Sequence, residues 1–222
     1  MCPFTLPLES FYGYSVVEPA TTEREQPNEM AFMAGAGVTQ VVQRCESAKV
    51  SGNLDLSGCS LTCVPNAVYF ILNGFDMHSC NLRSNALKSF PKKVIEKFTK
   101  LIGKLYSVIL VYSILAEREV FSIEDNAVEE IPEEVAGWKT IRGLNFSKNK
   151  LTVFPEALYD LEQLSILDLS KNNITDLDVS RIYESFPMLT QLNLAGNPLQ
   201  EEVKKQLSNH EKKPKLLKLI IE

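Results

Sequence analysis

The chain has 222 residues, 45% of them hydrophobic and 23% charged, and carries a formal net charge of −5 at pH 7. These are ordinary values for a folded protein, and the acidic balance argues against nucleic acid as the main partner. The five cysteines are odd in number and the first residues lack a basic stretch, so the expectation is free thiols inside the cell, in the cytoplasm with the nucleus left open.

Residues 1–36 mix Pro, Glu, Thr, Gln and small residues without a period, and are read as a disordered extension. Met30 and Met33 lie just before the ordered part, which leaves a shorter natural product open. From Val38 a stripe of Val38, Val41, Val42 and Cys45 predicts a helix that covers the exposed edge of a first strand. The domain is placed at 37–222.

From residue 51 one pattern, L-x-x-L-x-L-x-x-N-x-L, returns six times, with copies starting at 51, 77, 118, 141, 164 and 189. The cleanest copies run from Ile141 to Leu151 and from Leu164 to Ile174. In each, L-x-L reads as a short strand with leucine inward and polar residues outward. A single copy cannot bury its apolar face, so copies stack into a parallel sheet with one continuous core. The asparagine follows the strand, where its amide can bond the turn and build a ladder along the stack. In the first copy Cys59 takes that place, and in the second Cys80 replaces a strand leucine. Apolar-Pro steps at Pro65, Pro91, Pro132 and Pro155 turn the chain onto an outer arc, because proline fixes its own backbone and donates nothing. The fifth copy lacks the proline and has a longer arc. After the sixth, Asn197–Val203 predicts a turn into a short helix and Leu216–Ile221 a last strand.

The step from the second copy to the third is 41 residues, and an apolar insertion at about 102–118 accounts for the excess. Its run from Leu105 to Leu115 is shorter than the roughly 20 residues that span a bilayer, so no stable membrane insertion is expected. Two readings stand open: a buried or docked helix, or translated intron sequence foreign to the natural product. Six lysines between Lys204 and Lys218 are interrupted by acids and read as a solvated end.

With their late apolar-Pro step, the 23-residue copies resemble intracellular leucine-rich-repeat proteins of the Ras-suppressor type. The resemblance covers about Val38 to Leu219, apart from the insertion. It implies an α/β leucine-rich-repeat solenoid, with a curved parallel sheet on the concave face, helices, 3-10 turns or loops on the convex face, and an N-terminal capping helix. It also implies a small, intracellular, non-catalytic protein.

Function is then read from the exposed strand positions. A central column of Asp55, Asn81, Ser122, Asn145, Asp168 and Asn193 is flanked by Arg83, Glu124, Asp125, Lys148 and Lys171. A polar trough with charged sides suits an unidentified intracellular protein partner, recognised through complementary charge. Catalytic patterns are weak: the histidines are His78 and His210 alone, Cys59 and Cys63 lack a second ligand pair for zinc, and Gly35-Ala-Gly37 lacks a dinucleotide fingerprint. No cofactor and no metal are therefore expected. The first reading is a scaffold or adaptor that holds its partner on the concave face. The alternative is a regulatory or targeting subunit of an enzyme such as a phosphatase or small GTPase, and self-association or membrane contact through the insertion is a third. Oligomeric state is not read from the chain.

Overall fold

The computed structural model describes residues 29–96 and 119–222. Of the segment 1–36 expected to be disordered, residues 1–28 lie outside the described residues, as does the apolar insertion at 102–118, whereas residues 29–36 are helical.

Among the described residues, seven three-residue strands form one parallel sheet in chain order. They are β1 (Asn53–Asp55), β2 (Ser79–Asn81), β3 (Val120–Ser122), β4 (Gly143–Asn145), β5 (Ile166–Asp168), β6 (Gln191–Asn193) and β7 (Lys218–Ile220). The middle residues align across the whole sheet as Leu54, Cys80, Phe121, Leu144, Leu167, Leu192 and Leu219. All but the terminal Leu219 are buried. Each strand therefore puts one apolar side chain inward, and stacking supplies the burial that a lone copy lacks. Cys80 fills a leucine position in this column as the pattern predicted. Burial drives its thiol well above the ordinary cysteine range.

The proline steps open the convex arcs. Pro65 precedes α2 (Asn66–Ile71), Pro132 precedes the 3-10 turn Glu133–Gly137, and Pro155 precedes the 3-10 turn Glu156–Asp160, each proline in extended backbone. The proline ring suits the start of a helical turn, where an N–H would have no partner. In the fifth copy the longer arc is a helix, α3 (Val179–Ser185), and Asp178 caps it by accepting from the Arg181 amide at 3.0 Å. Inside, Phe90, Phe121, Trp138 and Phe146 pack with ring centroids 5.0–6.3 Å apart where β2 meets β3. The Trp138 indole donates to the Ile95 carbonyl at 3.3 Å.

Both ends are capped. The N-terminal helix α1 (Glu29–Ser51) starts earlier than the stripe from Val38 marks, and it buries Val41, Cys45 and Ala48 against the first copy. Its Arg44 donates to the carbonyls of Asp55 at 3.2 Å and Ser57 at 2.7 Å. At the other end α4 (Glu201–Asn209) and β7 follow the sixth copy as expected. Among the described residues no helix is long and apolar enough to cross a membrane. The cysteines depart in part from expectation: Cys45, Cys59 and Cys80 carry free thiols, whereas Cys63 is disulfide-bonded.

Candidate functional site

Every strand residue on either side of the buried column faces the concave surface, which gives two outward rows. The row after the column aligns Asp55, Asn81, Ser122, Asn145, Asp168, Asn193 and Ile220, so the predicted polar column exists in register. Its chemistry is partly spoken for. Asp55, Asn81, Asn145, Asp168 and Asn193 each accept, through a side-chain oxygen, from the backbone amide two residues on, at 2.9–3.2 Å. Short polar side chains recur here because they close an Asx turn at the strand exit. Neighbours are also linked, since Asn193 donates to Asp168 at 2.9 Å and the Ser170 hydroxyl donates to the same carboxylate at 2.6 Å. At the array's start burial opposes ionisation of Asp55, but the Ser57 hydroxyl and amide, with Arg44, hold its carboxyl below the usual range.

At the strand exits the predicted charges split into three groups. Glu124, its side chain only 13% exposed, receives Lys148 at 2.7 Å and lies 3.5 Å from the Arg83 guanidinium. Asn145 also donates to Glu124, at 3.2 Å, so three copies meet on one carboxylate. Asp125 accepts from the Ser84 hydroxyl at 2.9 Å. Lys171 is exposed and joins no ion pair among the described residues.

These exits share a backbone device absent from the sequence reading. Gly58, Ser84, Asp125, Lys148, Lys171 and Gly196 all have φ between +53° and +71°. The left-handed residue reverses the chain and swings the next side chain inward. That next residue is the ladder asparagine. Asn149, for example, accepts from the Val128 amide of the preceding copy at 3.0 Å and donates to the carbonyls of Ile123 and Phe146, both at 3.0 Å. Asn85, Asn126, Asn172 and Asn197 repeat the arrangement. Cys59 stands in the first copy, which has no earlier strand to bridge.

The outward row before the column corrects the expectation that outward positions are polar. It runs Asn53, Ser79, Val120, Gly143, Ile166, Gln191 and Lys218. Val120 is 37% exposed, and its Cγ2 leans over Gly143 to 3.2 Å from where a Cβ would stand. Ile166, half-buried, follows on the next strand. The centre of the face thus carries two apolar side chains in one outward row, with the Arg83–Glu124–Lys148 knot at the strand exits across the polar row. The alternation of the strand could have shown it, because both residues immediately precede an inward position. Among the described residues no group of three or more metal-binding side chains converges.

Comparison with known proteins agrees with this geometry. Residues 119–174 match the family described as Leucine rich repeat. A 58-residue stretch is 43% identical to a dynein axonemal assembly factor 1 homolog of Drosophila pseudoobscura pseudoobscura, covering 25% of this chain and 4% of that protein. Over 170 residues the chain is 26% identical to an adenylate cyclase of Schizosaccharomyces pombe, covering 72% of this chain and 10% of the relative. The chain therefore spans a small part of both curated relatives. Among solved structures, the plant peptide hormone receptor RGFR1 in complex with RGF2 matches at a TM-score of 0.52 and 21% identity, over 76% of this chain and 24% of the receptor.

Proposed function

We propose that this leucine-rich-repeat chain is a non-catalytic scaffold or adaptor that binds a protein partner on its concave face, in the cytoplasm. The observation that carries the reading is the centre of that face, where exposed Val120 and half-buried Ile166 share one outward row and the Arg83–Glu124–Lys148 knot stands at the exits of neighbouring strands. Apolar contact there contributes affinity and the flanking charges contribute specificity and encounter rate. The Asx turns account for the polarity of the central column, so the binding argument rests on the apolar patch and on the cations rather than on the column alone. Asp55, Asn81, Asn145, Asp168 and Asn193 then shape the trough, while Arg83, Lys148 and Lys171 face the partner. The stretches Leu54–Leu61, Asn85–Phe90 and Asn197–Val203 resemble leucine-rich repeat-containing protein 20, which fits a small protein without catalysis.

The test is affinity capture with the intact chain and with two variants, V120D and the double reversal K148E/K171E. Both are expected to cut recovery of a stoichiometric partner about tenfold or more, the loss of roughly 1.4 kcal/mol or more of binding energy. Equal recovery by the wild type and both variants would place the partner elsewhere on the molecule.

A further inference from the structure

Away from the concave face, the segments that follow the asparagine turns of the third and fourth copies enclose a cleft of about 660 Å³. Ile131, Phe154 and Pro155 line it with apolar surface, and Val153, also lining it, is 68% exposed. Glu129, Glu130 and Glu133 stand exposed around it and join no ion pair among the described residues. Two neighbouring acids differ, since Glu134 is paired with Lys92 and Glu156 with Arg181. Lys150 is the one cation that lines the cleft among the described residues.

The complementary surface lies on the C-terminal cap. Leu216 is 90% exposed, with Lys215 and Lys218 exposed beside it and half-buried Lys213 just before. Lys212 is engaged with Glu184 at 2.6 Å, whereas Lys213, Lys215 and Lys218 join no ion pair among the described residues. One end of the molecule thus offers an exposed leucine among lysines, and its flank offers an apolar cleft among glutamates.

We propose that the Lys213–Lys218 stretch of one copy seats in the Glu129–Glu133 cleft of a second copy, with Leu216 against Val153. The contact is head-to-tail: a pair keeps one unused cleft on one copy and one unused basic stretch on the other, so association continues into rings or open chains. Its charges are exposed, which makes it salt-sensitive, and its small apolar contact makes it weak, with Kd on the order of 100 µM. It touches the concave face at Lys218 of the terminal strand, away from Val120 and Lys148, and stands or falls independently of the partner proposed there.

Sedimentation velocity of the full chain tests it, over concentrations from about tenfold below to several-fold above that Kd and at low and high salt. The wild type is expected to sediment faster as concentration rises at low salt, and L216D and E129K/E130K/E133K each to abolish the rise while retaining wild-type circular dichroism. Mixing the two variants one to one should restore association but stop it at pairs, since L216D keeps its cleft and the other variant keeps its leucine and lysines. A wild type that stays a single chain throughout, or a mixture that does not pair, would overturn the proposal. So would a synthetic peptide of residues 212–218 that binds the cleft while the chain stays monomeric, which would assign the cleft to a foreign basic segment.

Discussion

Asn149 serves four backbone groups with one buried amide: the Val128 amide and the carbonyls of Ile123, Phe146 and Ser147. Replacing it with alanine strands buried donors and acceptors in two adjacent copies, at a cost of about 3 kcal/mol. Urea unfolding of N149A should show its midpoint lowered by roughly 1 M, given a usual dependence of 1–3 kcal/mol per molar. C59A should shift much less, because among the described residues the Cys59 thiol makes one polar contact, at 3.7 Å to the Ser57 carbonyl, and bridges no earlier strand. The ladder was legible in the chain because one residue type recurs at one spacing. The left-handed position before it was not, since Gly, Ser, Asp and Lys share no side-chain chemistry and only the backbone unites them. Lys171, at φ +55°, tests that point. A β-carbon in this region costs about 1 kcal/mol, so K171G should raise the melting temperature while weakening partner capture.

At the scale of elements, the exposed edge of a stacked sheet is its weak point, and α1 protects it through both its apolar stripe and Arg44. The stripe could be read from Val41 and Cys45, and Ala48 extends it by a further turn. Arg44 could not, because its bonds reach 11 and 13 residues along the chain to carbonyls whose orientation depends on the strand. R44A should leave those carbonyls to water and lower stability by about 1 kcal/mol, with faster amide hydrogen exchange in β1 than in β5. Asp55 adds a pH dependence at the same edge. Its folded pKa lies below the unfolded value of about 3.9, so its stabilising contribution is present above that value and is lost as pH falls through the folded one. D55N retains an oxygen for the Ser57 amide but cannot ionise. Acid titration of the variant, followed by circular dichroism, should therefore show a shallower loss of structure below about pH 4 than the wild type.

For the whole molecule the telling fact is a register. Strands begin at 53, 79, 120, 143, 166, 191 and 218, and the step of 41 residues from β2 to β3 leaves their pairing the same as at every other joint, Cys80 opposite Phe121. The interior at that joint is closed by Phe90, Phe121 and Trp138, all buried, and by the bond from Trp138 to Ile95. The sequence pattern revealed the solenoid and its polar column because burial repeats with the copies. The motif leaves the position of Val120 and Ile166 unspecified, so strand alternation alone could have marked them, and the folded alignment is what sets them in one row on either side of Gly143. The same alignment bears on the insertion. Removing residues 102–118 leaves a step of 24 residues, within the range of the other joints. Shortening the β2–β3 connection by this length changes its closure entropy by less than about 1 kcal/mol, so the sheet has little to lose. The shortened chain is expected to keep its far-UV circular dichroism, to melt within a few degrees of the full chain or above it, and to recover the same concave-face partner. A non-cooperative melt of the shortened chain would show instead that the apolar segment supplies part of the core between β2 and β3.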